Sequence, residues 1–326
     1  MPSWSGRVGE LPGEFAPEFV VSPSVPRPFR LDRYISEQLG LLSRSQIKTR
    51  SMEACLNGKA VKLSRIVKPG DSLELFWADP ESTDLLPEDI PLKVIYEDSR
   101  VIVVDKAQGM VVHPGAGNYS GTLANALLFR RLQRQGGDQG NGGIRPGIVH
   151  RLDKDTSGVM IAAWDDEALA FLADQFKRRC VRKTYAAIVQ GVPKETSGRI
   201  ETMISRDSRD RKRFAVSPNK GKSALTLYRV IRSWKGHSLV LLRPRTGRTH
   251  QLRVHMRYIG HPILGDPIYG FVDPLFLDAA LMLHARSLSI TLPDTQDTGA
   301  LMESPVTFKA PLPDRFHLII EKLNKI

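Results

Sequence analysis

Cysteine is nearly absent from this chain: Cys55 and Cys180 are the only two among 326 residues, and they lie far apart. That excludes a disulfide framework and points to a reducing compartment, the cytoplasm. No apolar run is long enough to span a bilayer, so neither a membrane span nor a membrane partner is expected. The start carries Glu10, Glu14 and Glu18 without a compact apolar segment, which excludes a secretory signal at this end. Metal-binding patterns are missing as well. The eight histidines are scattered, with no HExxH and no cysteine cluster. Acidic residues are scarce in one stretch above all: between Ser205 and Arg257 there are only two, Asp207 and Asp210.

That same stretch holds fifteen Lys or Arg, an excess of thirteen (fifteen less two), whereas the whole chain has a net charge of +12. Charge concentrated in this way favours a phosphate-binding face over a uniformly basic surface. A protein so basic attracts polyanions, and nucleic acid is the commonest of them. With 41% hydrophobic residues, the chain can also build a large core, or one large domain with a small partner.

Residues 1–28 contain six prolines and little apolar periodicity, as an extended or disordered arm would. Residues 29–78 read as a small separate module. Leu31, Tyr34, Ile35 and Leu39 follow helical spacing, and Ser43 is suited to cap a second helix carrying Arg44, Lys48 and Arg50. Asn57-Gly58 and Pro69-Gly70-Asp71 mark turns, the second before a strand over 72–77. Residues 79–90 suit a linker, and residues 91–326 one mixed α/β domain. Within it, "VIVVDK", "GMVVHP", "KTYAAIVQG" and "HSLVLLRP" read as strands, 122–132 and 166–179 as helices, and 133–143 as a mobile loop.

The most informative stretch is "PGIVHRLDKDTSGVMIAAW", from Pro146 to Trp164. A short apolar strand enters a charged turn holding His150, Arg151, Asp153, Lys154 and Asp155. A second strand, Val159–Ala163, leaves it. Flanking strands fix such a turn while leaving its side chains accessible, an arrangement that suits catalysis. Taken alone, the simpler reading is a plain turn in which Gly158 relaxes the backbone.

Longer motifs change that balance. "RLDRYISEQLGLLSRSQIKTR", "LNGKAV" and "VKPGDSLEL" resemble the S4 RNA-binding domain. The resemblance implies RNA contacts at Arg33, Arg44, Ser45, Lys48, Asn57 and Lys59. "HRLDKDTSG", "RKTYAAIVQG", "RPRTGRTHQLRVHMRYIGHPILGDPIYG", "LMLHARSLSI" and "FKAPLP" follow in order over residues 91–314. Together they resemble the pseudouridine synthases with an RluA-type domain. With the S4-like module in front, the match is closest to the D type, which acts on large-subunit ribosomal RNA.

The resemblance implies an α+β protein: a small N-terminal S4 RNA-binding domain and a larger catalytic domain on a mixed, largely antiparallel central sheet. It assigns Asp153 as the catalytic carboxylate, Arg253 as its cationic partner and Tyr185 as the aromatic that meets the extruded uracil. It makes Arg151 the wedge that opens the RNA strand, with His150, Arg248 and His250 as further RNA contacts or support. The chemistry fits these residue types. Uridine's N1–C1′ bond breaks, the uracil turns, and C5 bonds to C1′, with no redox change and no entering group, so no cofactor is expected. Asp153 either attacks C1′ or assists loss of the C2′ proton. Burial raises a carboxylate's pKa, and a nearby guanidinium lowers it again. Around Arg253 the spacing predicts a helix from about Thr249, with Leu252, Met256 and Ile259 on an apolar face and His250, Arg253 and Arg257 on another.

One departure lies in "DKAQG" (Asp105–Gly109), where relatives usually read NKPAG. That loop is expected outside the catalytic trio. Two rival signals are weaker. "DKDTSG" departs from the aspartyl-phosphate motif by an inserted residue, and "GAGNYSG" departs from GxGxxG spacing. The expected partner is structured RNA: large-subunit ribosomal RNA or an assembly intermediate first, transfer RNA or another ribosomal RNA site second. A monomer is the default. The non-enzymatic alternative is a ribosome-assembly factor that keeps only the RNA-binding surfaces.

Overall fold

The computed structural model describes residues 19–20, 29–39, 41–42, 47, 52–68, 70–77, 85–115, 117–134, 147–207, 209–210, 213–294 and 304–326. Most of the arm over 1–28, the second amino-terminal helix with Arg44, Ser45, Lys48 and Arg50, and most of the loop over 133–143 lie outside these residues. Two compact units divide the chain between Asp84 and Leu85, within residues 79–90.

In the first unit, one four-stranded sheet runs in the order β1 (Phe19–Val20), β6 (Ser72–Phe76), β3 (Glu53–Leu56), β4 (Lys59–Val61). A small pair joins β2 (Phe29–Arg30) to β5 (Ile66–Val67). A short helix, α1 (Leu31–Arg33), passes directly into a π-helical turn, Tyr34–Gln38. The helical spacing placed Leu31, Tyr34 and Ile35 on one face, and all three are buried against Val67, Leu73 and Leu75. Asn57 takes left-handed backbone at the hairpin turn (φ 52°), which Asn tolerates better than most residues.

The second unit is built on a ten-stranded sheet. Its order is β12 (Phe214–Val216), β11 (Ser197–Arg206), β13 (Lys222–Trp234), β14 (His237–Pro244), β10 (Arg182–Gln190), β15 (Leu283–Ile290), β9 (Ser157–Ala163), β8 (Val101–Lys106), β7 (Lys93–Glu97). The tenth strand, β16 (Val306–Lys309), pairs with the second half of β15, whose first half pairs with β9. The β9–β15 pair is parallel, and every other pair described in this sheet is antiparallel. The sheet is therefore mixed and largely antiparallel. No helix among the described residues is long and apolar enough to cross a membrane.

Strands β8 and β9 lack the alternation of a half-solvated sheet because both of their faces are covered. Val101, Val103, Val159 and Ile161 pack with Ala168 and Leu172 of α3 (Asp166–Lys177). Ile102, Val104, Met160 and Ala162 pack with Leu123 and Leu127 of α2 (Leu123–Arg134). Helix α3 starts where its acids predict: Asp165 caps it by accepting the Ala168 N–H at 2.8 Å. On β10 and β14, a separate core gathers α4 (Gln251–Tyr258) and α5 (Asp314–Leu323) through Leu252, Met256, Phe316 and Ile319.

"GMVVHP" is not a strand: Val111 makes one isolated bridge to Thr122, and the chain then bends. Its apolar run instead closes the entry to α2, where the Leu123 and Ala124 N–H groups donate to the Val111 and Val112 carbonyls. Gly158 also has a different role from the one expected. It lies inside β9, paired with Ala285 of β15, at φ 118°. A Cβ there would meet the Ala285 carbonyl oxygen at 2.3 Å. Gly158→Ala is expected to cost about 3 kcal/mol or more, from backbone strain and overpacking together. A denaturant titration checks this, and an unchanged midpoint would refute the close approach.

Candidate active site

The charged turn after Ile148 is held by its carbonyls. The Thr156 N–H donates to Asp153 O (3.1 Å), and the Gly109 N–H donates to Lys154 O (2.9 Å). Lys106, only 1% exposed, donates from Nζ to the carbonyls of Ala107 (2.8 Å), Met110 (2.7 Å) and Lys154 (3.1 Å). Gln108 Nε2 donates to Asp155 O (3.0 Å) and Leu281 O (3.1 Å). The "DKAQG" loop thus contributes none of Asp153, Tyr185 and Arg253, yet it braces the turn that carries Asp153. Burial pushes the Lys106 amine down to about 8, against the charges of Asp155 and Asp153.

Arg253 reaches Asp153 from α4. Its Nη1 lies 3.3 Å from Asp153 Oδ2. Behind it, Nε and Nη2 form a fork on Asp266 at 2.8 and 2.7 Å. Burial lowers the Arg253 pKa, but the bonds to Asp266 and the charges of Asp266 and Asp153 outweigh it and hold the guanidinium above its ordinary value. Asp266 is itself locked, accepting the Ile268 and Tyr269 N–H groups at 2.9 and 3.0 Å. Of the polar face read for this helix, Arg253 is buried while His250 and Arg257 are half-buried. Asp266 supplies the charge that lets a guanidinium sit there.

Tyr185 enters from β10 at a register shift between Thr184 and Tyr185. Burial, then the Asp153 charge, raises its phenol pKa and keeps the hydroxyl protonated. Asp153, Tyr185 and Arg253 line one cleft of about 480 Å³ together with Arg151, Arg248 and His250. Arg151 is exposed at this cleft. Arg248 Nε donates to Ser223 O at 2.9 Å. Lys177, Arg179, Lys183 and Arg245 line it too, so the cleft is strongly basic.

His150 is committed to the architecture of the turn. Its Nε2 accepts the Ile161 N–H at 3.1 Å, and its ring stacks on Phe176 with centroids 4.7 Å apart. Burial, then the Lys183 charge, pushes its pKa down to about 3, so it stays neutral as an acceptor.

In the amino-terminal unit, Arg33 forks onto Glu37 at 2.8 and 2.9 Å. Asn57 is occupied as well. Its Nδ2 donates to Asp71 Oδ1 (2.9 Å), and its Oδ1 accepts the Ser72 N–H (2.8 Å). Lys59 is exposed at the start of β4.

Sequence reasoning missed Asp266, Lys106 and Gln108 as parts of the site. Asp266 stands inside the long arginine motif, and Lys106 inside the departing loop. Neither position carries a local sign of its partner.

A large mixed sheet presenting a carboxylate, a tyrosine and a buried arginine to a basic cleft defines a carboxylate-centred enzyme suited to a polyanionic substrate. The profile of the RNA pseudouridylate synthase family matches residues 100–258. A ribosomal large subunit pseudouridine synthase D of Borreliella burgdorferi is 44% identical over 94% of this chain and 96% of its own length. Another protein of that name, from Zymomonas mobilis, is 44% identical over 74% of this chain and 77% of its own. The solved structure of human RNA pseudouridylate synthase domain containing 4 aligns with a TM-score of 0.57 and 26% identity, covering 71% of this chain and 93% of that one. The chain belongs to the RNA pseudouridine synthases of the RluA/RluD type.

Proposed function

We propose that the protein isomerises specific uridines of large-subunit ribosomal RNA, with Asp153 as the catalytic carboxylate acting on a flipped-out uridine. The observation that carries this reading is the anchored pair: a carboxylate at the cleft, 3.3 Å from a buried guanidinium that Asp266 fixes from behind. Such a pair sets a fixed cation against the carboxylate at the place where the ribose would lie. Tyr185 supplies a ring for the uracil to stack on and a protonated hydroxyl beside the sugar. Arg151, exposed two residues before Asp153, takes the place the base leaves in its stack. His150 acts through the turn it supports, and Arg248 meets the flanking backbone.

In this reading residues 29–78 form an S4 module that captures structured RNA through Arg33, Arg44, Ser45, Lys48, Asn57 and Lys59. The surrounding excess of Lys and Arg holds phosphate. The names of the 44%-identical relatives favour ribosomal over transfer RNA.

A pseudouridine map of cellular RNA, with and without this gene, tests the assignment. The expected result is the loss of one or a few sites in large-subunit ribosomal RNA, restored by the wild-type gene. Loss confined to transfer RNA would refute the substrate, and an unchanged map would refute the activity.

A further inference from the structure

His250 is one of three residues other than glycine, among those described, with left-handed backbone (φ 55°). A side chain bearing a Cβ holds that conformation only where its surroundings fix it. The residue immediately precedes α4, and its carbonyl accepts the Val254 N–H at 2.9 Å, so the helix starts on it. Its ring is fixed on one side by Tyr269, with Nδ1 2.9 Å from the phenolic oxygen.

That contact determines where the ring carries its proton. Tyr269 is 3% exposed, and its hydroxyl oxygen already accepts the Phe214 N–H at 2.8 Å. A buried hydroxyl must also place its own proton, and Nδ1 of His250 is the acceptor it reaches. Nδ1 therefore accepts, and the neutral ring holds its hydrogen on Nε2. Burial, opposed by the Asp153 charge, keeps the ring's pKa below its ordinary value, which favours this neutral form. The Nε2 atom lies 3.9 Å from Asp153 Oδ2, in the same cleft. That is too long for a hydrogen bond, yet close enough for both groups to touch one nucleoside.

We propose that His250 is a catalytic residue whose Nε2–H donates a hydrogen bond to the 2-oxo oxygen of the target uracil as the N1–C1′ bond breaks. This rests on the reading of Asp153 as the carboxylate at the sugar. Of the two uracil oxygens, the 2-oxo sits on the carbon next to N1 and is the nearer to C1′. When the bond breaks, its electron pair passes to the uracil and is shared between N1 and the carbonyl oxygens. A fixed donor aimed at growing charge stabilises the transition state more than the ground state. His250 keeps its proton throughout. The hydrogen later lost from C5 is balanced by the one gained at N1.

The test uses the full chain and an RNA fragment carrying the mapped target as uridine or as 2-thiouridine, in single turnover. His250→Phe is expected to react about a hundredfold more slowly on uridine with RNA affinity unchanged, and to melt at a lower temperature because the buried Tyr269 hydroxyl loses its acceptor. His250→Gln, which retains an N–H donor, recovers part of that loss. Sulfur is a weaker acceptor and carries the leaving charge itself, so on 2-thiouridine the Phe defect shrinks to about tenfold or less. A Phe variant as fast as wild type, or a defect of equal size on both substrates, overturns the proposal. Should His250→Phe not fold, Tyr269→Phe carries the test. It frees Nδ1 to take the proton, and its smaller defect should likewise shrink with sulfur; an equal defect overturns the proposal. An active Asp153→Asn would show instead that the underlying reading fails.

Discussion

Asp153→Asn is expected to abolish pseudouridine formation, slowing it by at least about 10,000-fold, while leaving RNA affinity and stability unchanged. The turn explains why stability should not suffer. Its hydrogen bonds run through the carbonyls of Asp153, Lys154 and Asp155, donated by Thr156, Gly109, Lys106 and Gln108. The Asp153 carboxylate supports none of them. Its described contacts are Arg253 Nη1 at 3.3 Å and His250 Nε2 at 3.9 Å. An amide of the same shape fills that space but brings neither a nucleophile nor a base. Release of tritium from RNA labelled at uridine C5 gives the rate, and filter binding gives the affinity. Wild-type release by the Asn variant would remove Asp153 from the chemistry; lost binding with an unchanged bound-state rate would make it an RNA contact.

Asp266→Asn is expected to damage both the fold and the reaction. The wild-type carboxylate takes two donors from Arg253 and two backbone N–H groups, with its side chain fully buried. An asparagine turns one oxygen into an NH₂ group, which faces a guanidinium that can only donate. Breaking one side of a buried ion pair leaves the other charge uncompensated and costs about 3–5 kcal/mol. Arg253 would then keep at most one bond to residue 266 beside its long contact to Asp153, and a shift of its head by an ångström is expected to slow the reaction about a hundredfold. Denaturant unfolding and single-turnover rates below the new melting point separate the two effects. A variant as stable and as active as wild type would mean that Asp266 does not anchor Arg253.

Much of the fold could be read locally. β14 matches the predicted strand residue for residue, and α3 starts at the predicted acid. β8 and β9 were read as strands from unbroken apolar runs, which the two covered faces account for. The failure at "GMVVHP" shows the limit of such reading, since an apolar run of that length serves equally to close a helix entry. Asp153, Tyr185 and Arg253 were singled out by long ordered motifs, and the cleft unites them. Periodicity placed His250, Arg253 and Arg257 on one face, but it could not report that a carboxylate thirteen residues on from Arg253 neutralises that guanidinium in the interior.

By itself, the sequence determined the basic, cysteine-poor character of the chain, several of its strand and helix segments, and the residue types gathered in each motif. These properties depend on composition and on neighbours a few positions apart. Only the tertiary structure decided that Asp266 anchors Arg253 thirteen residues away, that Lys106 and Gln108 hold the turn of Asp153, and that Tyr269 fixes the proton of His250. Those are hydrogen bonds and charges made through space. Whether each group finds its partner depends on where the sheet and its loops carry the backbone.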